Sequence, residues 1–333
     1  MSDTAILVEG LAKRFGDVVA LDGIDFQVPA GSVFGLLGPN GAGKTTAIRI
    51  LTTILLPDGG RAEVLGLDVV RQAEEVRYRI GLAGQYAAID PNLTGRENLR
   101  LTGRLAQLPT ADARTRADEL LERFQLTDAG DRPARTYSGG MRRRLDVAAA
   151  LVQRPPVVFL DEPTTGLDIY SRNALWEMIR ELVAEGTTVL LTTQYLEEAD
   201  RLAHRIAVVD GGRVIANDTP AALKAQLGST VIELGMGDEA RATHAGELLA
   251  QRLDAHPERN GATLRLTSDD GSRLLIDVLR LLDDQDLAPA TLAVRDPSMD
   301  DVFLALTGHR AEAETAANGA RRGRRDARAR GVA

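Results

Sequence analysis

The chain has 333 residues, 44% hydrophobic and 26% charged, with a formal net charge of −8 at pH 7. That length and apolar content suffice for one large domain plus a smaller companion, and the acidic balance argues against a general nucleic-acid binder. Cysteine is absent and the four histidines, His204, His244, His256 and His309, are scattered, which leaves no disulfide, thiol nucleophile, usual structural zinc site or paired histidine ligands.

In chain order, the opening MSDTAILVEGLAKRFG lacks the basic and then apolar order of a signal peptide. AILVEGLAKRF and VALDGIDFQVPAGS are β-rich runs, and SVFGLLGPNGAGKTTAIRILTTIL switches from strand to helix period at its glycines. LTGRENLRLTGRLAQL and ADARTRADELLERFQL carry apolar positions three and four apart, so a helical subdomain is expected over about residues 88–155. The β/α alternation returns at Arg154 with the strand in PPVVFLDEP, a helix through SRNALWEMIRELVAEG, the strand TTVLLTTQ and the helix YLEEADRLA. RIAVVDGGRVIAND then reads as a hairpin turning at Gly211-Gly212. This first domain is expected to close near Ala222–Leu227, covering residues 1–227.

From STVIEL onward the pattern is strand, helix around Glu239–Leu253, strand ATLRLT, helix around Ser272–Asp284, strand PATLAVRD and helix SMDDVFLALTG. It predicts a small C-terminal α+β (βαβαβα) domain over residues 228–308. Residues 309–333 are basic and poor in large apolar side chains, so a disordered tail is expected there, in plain reading a solvated end and in the sharper one a contact for anionic lipid. No run approaches the roughly 18 apolar residues of a membrane-spanning helix, so any membrane role is expected to come through a partner.

Three stretches carry chemistry. GPNGAGKTT, comprising Gly38, Pro39, Asn40, Gly41, Ala42, Gly43, Lys44, Thr45 and Thr46, satisfies G-x-x-x-x-G-K-[ST] between a strand and a helix. Its glycines let backbone N–H groups turn inward around a β-phosphate, and the helix N-terminus adds positive potential. Lys44 would supply charge to the β- and γ-phosphates, and the Thr45 hydroxyl would ligate Mg2+. VVFLDEP is an apolar strand ending in two carboxylates, which suits Asp161 to the Mg2+ shell and Glu162 to polarising a water against the γ-phosphate. In TYSGGMRRRLDVAAALVQRP, Ser138, Gly139 and Gly140 open a helix and form a second anion-ready N-terminus.

GPNGAGKTT, Gln85 after the strand IGLAG, YSGGM and VVFLDEPTTGLD, in that order and spacing, resemble the ATP-binding subunit of an ABC transporter over about residues 4–225. The resemblance implies the P-loop NTPase fold of an ABC-type nucleotide-binding domain, a mixed sheet with a helical subdomain, using ATP and Mg2+. It implies a head-to-tail homodimer in which the Ser138–Gly140 start of one copy completes the site on the phosphate loop of the other. Phe15 would stack on adenine, Gln85 would couple the Mg2+ and γ-phosphate region to the membrane partner, and Asp168, in Gly166-Leu167-Asp168, would contact the dimer mate. Each has a plainer reading: Phe15 as core, Gln85 as a loop-end hydrogen bonder, Asp168 as a helix N-cap.

Two departures stand out. Tyr137 and Met141 replace the leucine and glutamine that flank the family's signature, and Gln194 stands where the family has a switch histidine. Glutamine donates and accepts hydrogen bonds but takes no proton near neutral pH, which leaves the general-base role to Glu162. TTQYLEEAD, YSGGM and the C-terminal unit ending in SMDDVFLALTG resemble more closely the daunorubicin/doxorubicin-resistance type of exporter ATPase. That resemblance implies a peripheral subunit on the cytoplasmic membrane face, energising export of a drug or other hydrophobic compound through a separately encoded permease. A soluble non-transport ABC ATPase acting on ribosome or DNA is the alternative, although neither a second ATPase domain nor a long coiled-coil insertion is visible. A small-molecule kinase would leave YSGGM and Gln85 unexplained.

Overall fold

The computed structural model describes residues 3–85, 88–227, 230–253, 255–268 and 270–306; the basic tail expected over 309–333 lies outside them. The chain divides into two compact units, Met1–Thr219 and Pro220–Ala333, a division several residues earlier than residue 227.

In the first unit, β1 (Thr4–Phe15) and β2 (Val18–Pro29) form an antiparallel ladder with irregular register. β3 (Val33–Leu37) is buried at every position and runs through the loop at Gly38–Gly43 into α1 (Lys44–Leu51). β4 (Gly59–Val64) and β5 (Leu67–Asp68) extend the first sheet to the order β2-β1-β4-β5. α2 (Ala73–Arg79) leads directly into β6 (Ile80–Ala83).

The helical segment follows as α3 (Gly95–Leu105), α4 (Thr110–Arg123) and α5 (Gly139–Ala150). α3 starts at a capping box: Glu97 N donates to Thr94 Oγ1 at 3.1 Å, and Thr94 N donates to Glu97 Oε2 at 2.8 Å, which satisfies two donors that the first turn would otherwise leave unpaired.

β7 (Val157–Asp161), α6 (Ile169–Ala184), β8 (Thr188–Thr193), α7 (Leu196–Leu202), β9 (Arg205–Asp210) and β10 (Arg213–Asp218) complete the unit. Its second sheet has the order β10-β9-β3-β8-β7-β6, parallel except for the β9–β10 hairpin. β3, β7 and β8 are buried throughout, as expected of parallel strands covered on both faces. Val8, Leu11 and Phe26 of the antiparallel sheet join Ile48 and Leu51 of α1 and Phe34, Phe159 and Leu190 of the mixed sheet in one core.

The second unit comprises α8 (Pro220–Ala225), β11 (Thr230–Gly235), α9 (Glu239–Leu253), β12 (Glu258–Asn260), β13 (Thr263–Ser268), α10 (Gly271–Asp283), β14 (Thr291–Arg295) and helical residues 299–306. Its sheet, β12-β13-β11-β14, is antiparallel. Ile232, Leu234, Leu264 and Leu266 pack with Leu249 of α9 and Val278 and Leu282 of α10. The three-residue β12, ERN, was not anticipated, because all three side chains are polar and exposed and leave no apolar alternation to read.

Candidate functional site

β8 lies between β3 and β7, with Leu37 paired to Thr193 and Asp161 to Thr192. This register delivers the loops that follow three adjacent strands to one edge of the sheet, at the carboxyl ends of parallel strands where ligands collect. The loop after β3 is tied down by Gly38 N, which donates to Thr193 O at 3.3 Å. At Gly43 φ is 107°, and a Cβ there would collide with Ala20 O, so only glycine lets the loop enter α1 at this point.

Lys44 is almost wholly buried and donates through Nζ to Gly38 O at 2.8 Å and Pro39 O at 3.0 Å, with Glu162 Oε1 at 3.7 Å. Burial pushes the ammonium pKa down, while Glu162 and Asp161 pull it back up. A buried cation on a glycine-rich turn is suited to an anionic ligand.

Asp161, buried at the end of β7, accepts from Thr192 Oγ1 at 2.5 Å and from Thr45 Oγ1 at 3.1 Å. Hydroxyl and carboxylate oxygens held this close form the hard donor set that fits Mg2+, a cation that completes its shell with waters and phosphate oxygens. Glu162 has φ 48°, a left-handed conformation that costs a non-glycine residue energy and concentrates at functional sites. Glu162 N donates to Thr192 Oγ1 at 3.0 Å, and Thr165 Oγ1 donates to Glu162 Oε2 at 3.3 Å, so both backbone and carboxylate are oriented.

Lys44, Thr45, Gln85, Glu162 and Gln194 line one open cavity of about 470 Å³. Asn40, Gly41, Gly43 and Thr46 share its wall, with Val18 and Ala20 of β2 on another side. Thus the motif residues, separated by up to about 150 positions in the chain, converge on one volume. Gly38, Pro39 and Ala42 stand behind it, the first two as acceptors for Lys44 and the third through Ala42 N to Pro39 O at 3.2 Å.

Four expected site residues lie elsewhere in the chain, and Phe15 only borders the cavity. Phe15 is 49% exposed, so it is not core; it pairs with the cavity-lining Val18 in the β1–β2 ladder, and Lys13 Nζ lies 5.6 Å from its ring centroid. Ser138 and Gly139 are exposed, and Ser138 Oγ caps α5 by accepting from Met141 N at 3.2 Å. A Cβ on Gly140 would fall against Ser171 Oγ. Asp168 caps α6, accepting from Ser171 N at 2.8 Å and Ser171 Oγ at 3.0 Å. Gly140 and Asp168 therefore both meet Ser171, and neither they nor Ser138 and Gly139 line the cavity. Tyr137 accounts locally for one sequence departure: its phenol donates to Ala129 O at 2.7 Å and closes over Gly95, a contact leucine could not make.

Sequence reading missed several supporting groups. Thr192, Thr165 and Ser171 look like ordinary strand and loop polar residues until the register places them beside Asp161, Glu162 and Asp168. Arg143 and Asp146 lie in the RRRLD run after the signature, and a buried aspartate in LDVAAALV three positions after an arginine was the available signal. Glu198, fully buried on α7, accepts from Trp176 Nε1 at 3.0 Å.

A phosphate-ready loop around a buried lysine, with an acid-ended strand across from it, defines the nucleotide end of a P-loop NTPase. Residues 21–165 match the ABC transporter family. The chain is 55% identical to the daunorubicin resistance ATP-binding protein DrrA2 of Streptomyces coeruleorubidus, over 94% of this chain and 98% of that one. It is 51% identical to the daunorubicin/doxorubicin resistance ATP-binding protein DrrA of Streptomyces peucetius, over 92% and 94%. Among solved structures, an ATP-binding subunit of an ABC transporter superposes with a TM-score of 0.61 at 28% identity, covering 67% of this chain and 92% of its own. The chain belongs to the ABC transporter family as an ATP-binding, ATPase-type subunit.

Proposed function

We propose that this chain hydrolyses ATP in the cavity at the ends of β3, β7 and β8 and energises export of a drug or other hydrophobic compound through a separately encoded membrane permease. The observation that carries this reading is the convergence of Lys44, Thr45, Gln85, Glu162 and Gln194 on one volume. Lys44 and the loop N–H groups would hold the β- and γ-phosphates, and Thr45, Asp161 and Gln85 would hold Mg2+. Mg2+ supplies charge neutralisation on the phosphate oxygens. Glu162, oriented by Thr165 and by its own strained backbone, orients the attacking water and accepts its proton. Gln194 hydrogen-bonds the γ-phosphate without changing charge. Phe15, at the exposed end of β1, offers a ring face for adenine.

Two copies would pack head to tail. The exposed Ser138–Gly139 start of α5 and the adjoining Asp168 are absent from their own chain's cavity, which supports their service to a second copy. Among the described residues no helix is long and apolar enough to cross a membrane, so attachment to the cytoplasmic membrane face would run through the permease. The relatives named for daunorubicin and doxorubicin resistance support a hydrophobic cargo. The test is copurification with a candidate, separately encoded membrane permease, reconstitution in vesicles, and ATP turnover with candidate hydrophobic compounds. Cargo-stimulated turnover is expected, and Lys44→Ala should lower kcat by about 100-fold or more through loss of transition-state charge; retained activity in that variant would overturn the phosphate-loop assignment.

A further inference from the structure

Arg143 and Asp146, one turn apart on α5, form a pair that is almost wholly removed from solvent, with Nη1 to Oδ2 at 3.0 Å. The arginine spends its remaining bonds on backbone. Nη1 donates to Gly84 O at 2.6 Å, Nε to Pro163 O at 2.9 Å and Nη2 to Asp161 O at 2.9 Å. Asp146 Oδ1 accepts from Ala88 N at 2.8 Å. The carbonyls of Asp161 and Pro163 flank Glu162, whose φ is 48°. Gly84 directly precedes Gln85, and Ala88 lies three positions after it. One side-chain pair thus grips the backbone on both sides of the cavity-lining residues Gln85 and Glu162, and it does so from the helix that begins at Ser138–Gly140.

A buried ion pair is weak evidence for stability, since apolar packing of the same volume often serves as well. What a planar guanidinium adds is fixed direction, here spent on main-chain acceptors from two separate loops. Without it Glu162 keeps its amide hydrogen bond to Thr192 but loses the anchors on the carbonyls at either side of it, and displacements near 1 Å at a reacting group cost about 100-fold in rate.

We propose that Arg143, held by Asp146, is a positioning residue for hydrolysis, transmitting the seating of the Ser138–Gly140 helix start to Gln85 and Glu162 of the same chain. The inference rests on the ATPase reading above. Steady-state ATP turnover and melting of the full-length protein test it in Arg143→Lys, Asp146→Asn and the double variant. Arg116→Lys is the control, because Arg116 donates to Leu151 O and Glu119 away from the cavity. Arg143→Lys should lower kcat about 100-fold and Asp146→Asn about 10-fold, with KM for ATP within about 3-fold of wild type. The double variant should be no slower than Arg143→Lys, since the two act as one unit. Arg116→Lys should lower the melting temperature and leave kcat unchanged.

If Arg143→Lys does not fold, Asp146→Asn, which keeps shape and the acceptor for Ala88 N, decides by the same split. Near-wild-type kcat in folded Asp146→Asn, a loss confined to KM, or additive losses in the double variant would overturn the proposal. Active wild type with silent Lys44→Ala keeps the ATPase reading standing in that case; turnover retained by Lys44→Ala would bring down the ATPase reading itself.

Discussion

Gln194 shows how much a single side chain depends on its surroundings. At the end of β8 an amide is an odd terminus for a strand buried along its whole length, yet the same side chain faces the cavity that holds Lys44 and Glu162. Because an amide cannot titrate near neutral pH, Gln194→Ala should lower kcat by about 10-fold through loss of a hydrogen bond, whereas Gln194→His should retain turnover; single-turnover hydrolysis separates the outcomes. Glu162→Gln keeps the shape and removes the base, so kcat should fall by about 100-fold or more while ATP still binds. An ATP-dependent shift to dimer in size-exclusion chromatography checks this.

Glu198 offers a pH test. Burial pushes its carboxyl above the ordinary range, against opposing hydrogen bonds that include Trp176. A raised folded-state pKa contributes stability that is complete below the unfolded value and is lost as pH rises through the folded value. Glu198→Gln, neutral at every pH, should therefore gain in melting temperature relative to wild type as pH rises above the ordinary glutamate pKa of about 4.3. At this scale the motif residues were legible because each carries its chemistry in its own side chain. Thr192 and Arg143 were not, because a threonine or arginine acquires a role only from the groups it meets.

The elements were readable where local signals agree. α3 begins at Thr94 with Glu97 three residues on, and both halves of the capping box form. Thr94→Ala should cost about 1 kcal/mol of unfolding free energy in denaturant titration, since one helix-end donor loses its acceptor. The hairpin at Gly211-Gly212 and the switch from β3 into α1 likewise follow from glycine placement and periodicity. β12 was invisible because three exposed polar residues become a strand only when β13 supplies the ladder.

At the largest scale, each unit carries a core of its own among the described residues. In the second unit Asp301 is the charged hub, accepting from Arg295, Ser298 N and Ser298 Oγ and pairing with Arg265. Burial works to raise its carboxyl pKa, but Arg295 and Ser298 outweigh it and hold the group well below the usual range. Such a depressed carboxylate contributes stability above its unfolded pKa and loses it as pH falls. Asp301→Asn should therefore speed hydrogen exchange in β11 and β14 at pH 7, corresponding to about 1–3 kcal/mol, while leaving β3 and β7 unchanged; the difference should shrink in acid.

Residue type and close spacing were enough to read the candidate phosphate loop, the acid-ended strand, the helix starts at Ser138 and Asp168 and the existence of a second α/β pattern, because each depends on hydrogen bonds and periodicity within a few residues. Long-range pairing settled the rest. The β3-β8-β7 order puts Gln194 between Lys44 and Glu162. The turn of α5 puts one guanidinium within reach of Gly84, Asp161 and Pro163. Gly140 and Asp168 are brought together at Ser171, and the whole Ser138–Gly140 start stays out of its own chain's cavity. Strand register and helix packing minimise the free energy of the whole core, so the positions they assign cannot be read from any short window of the chain.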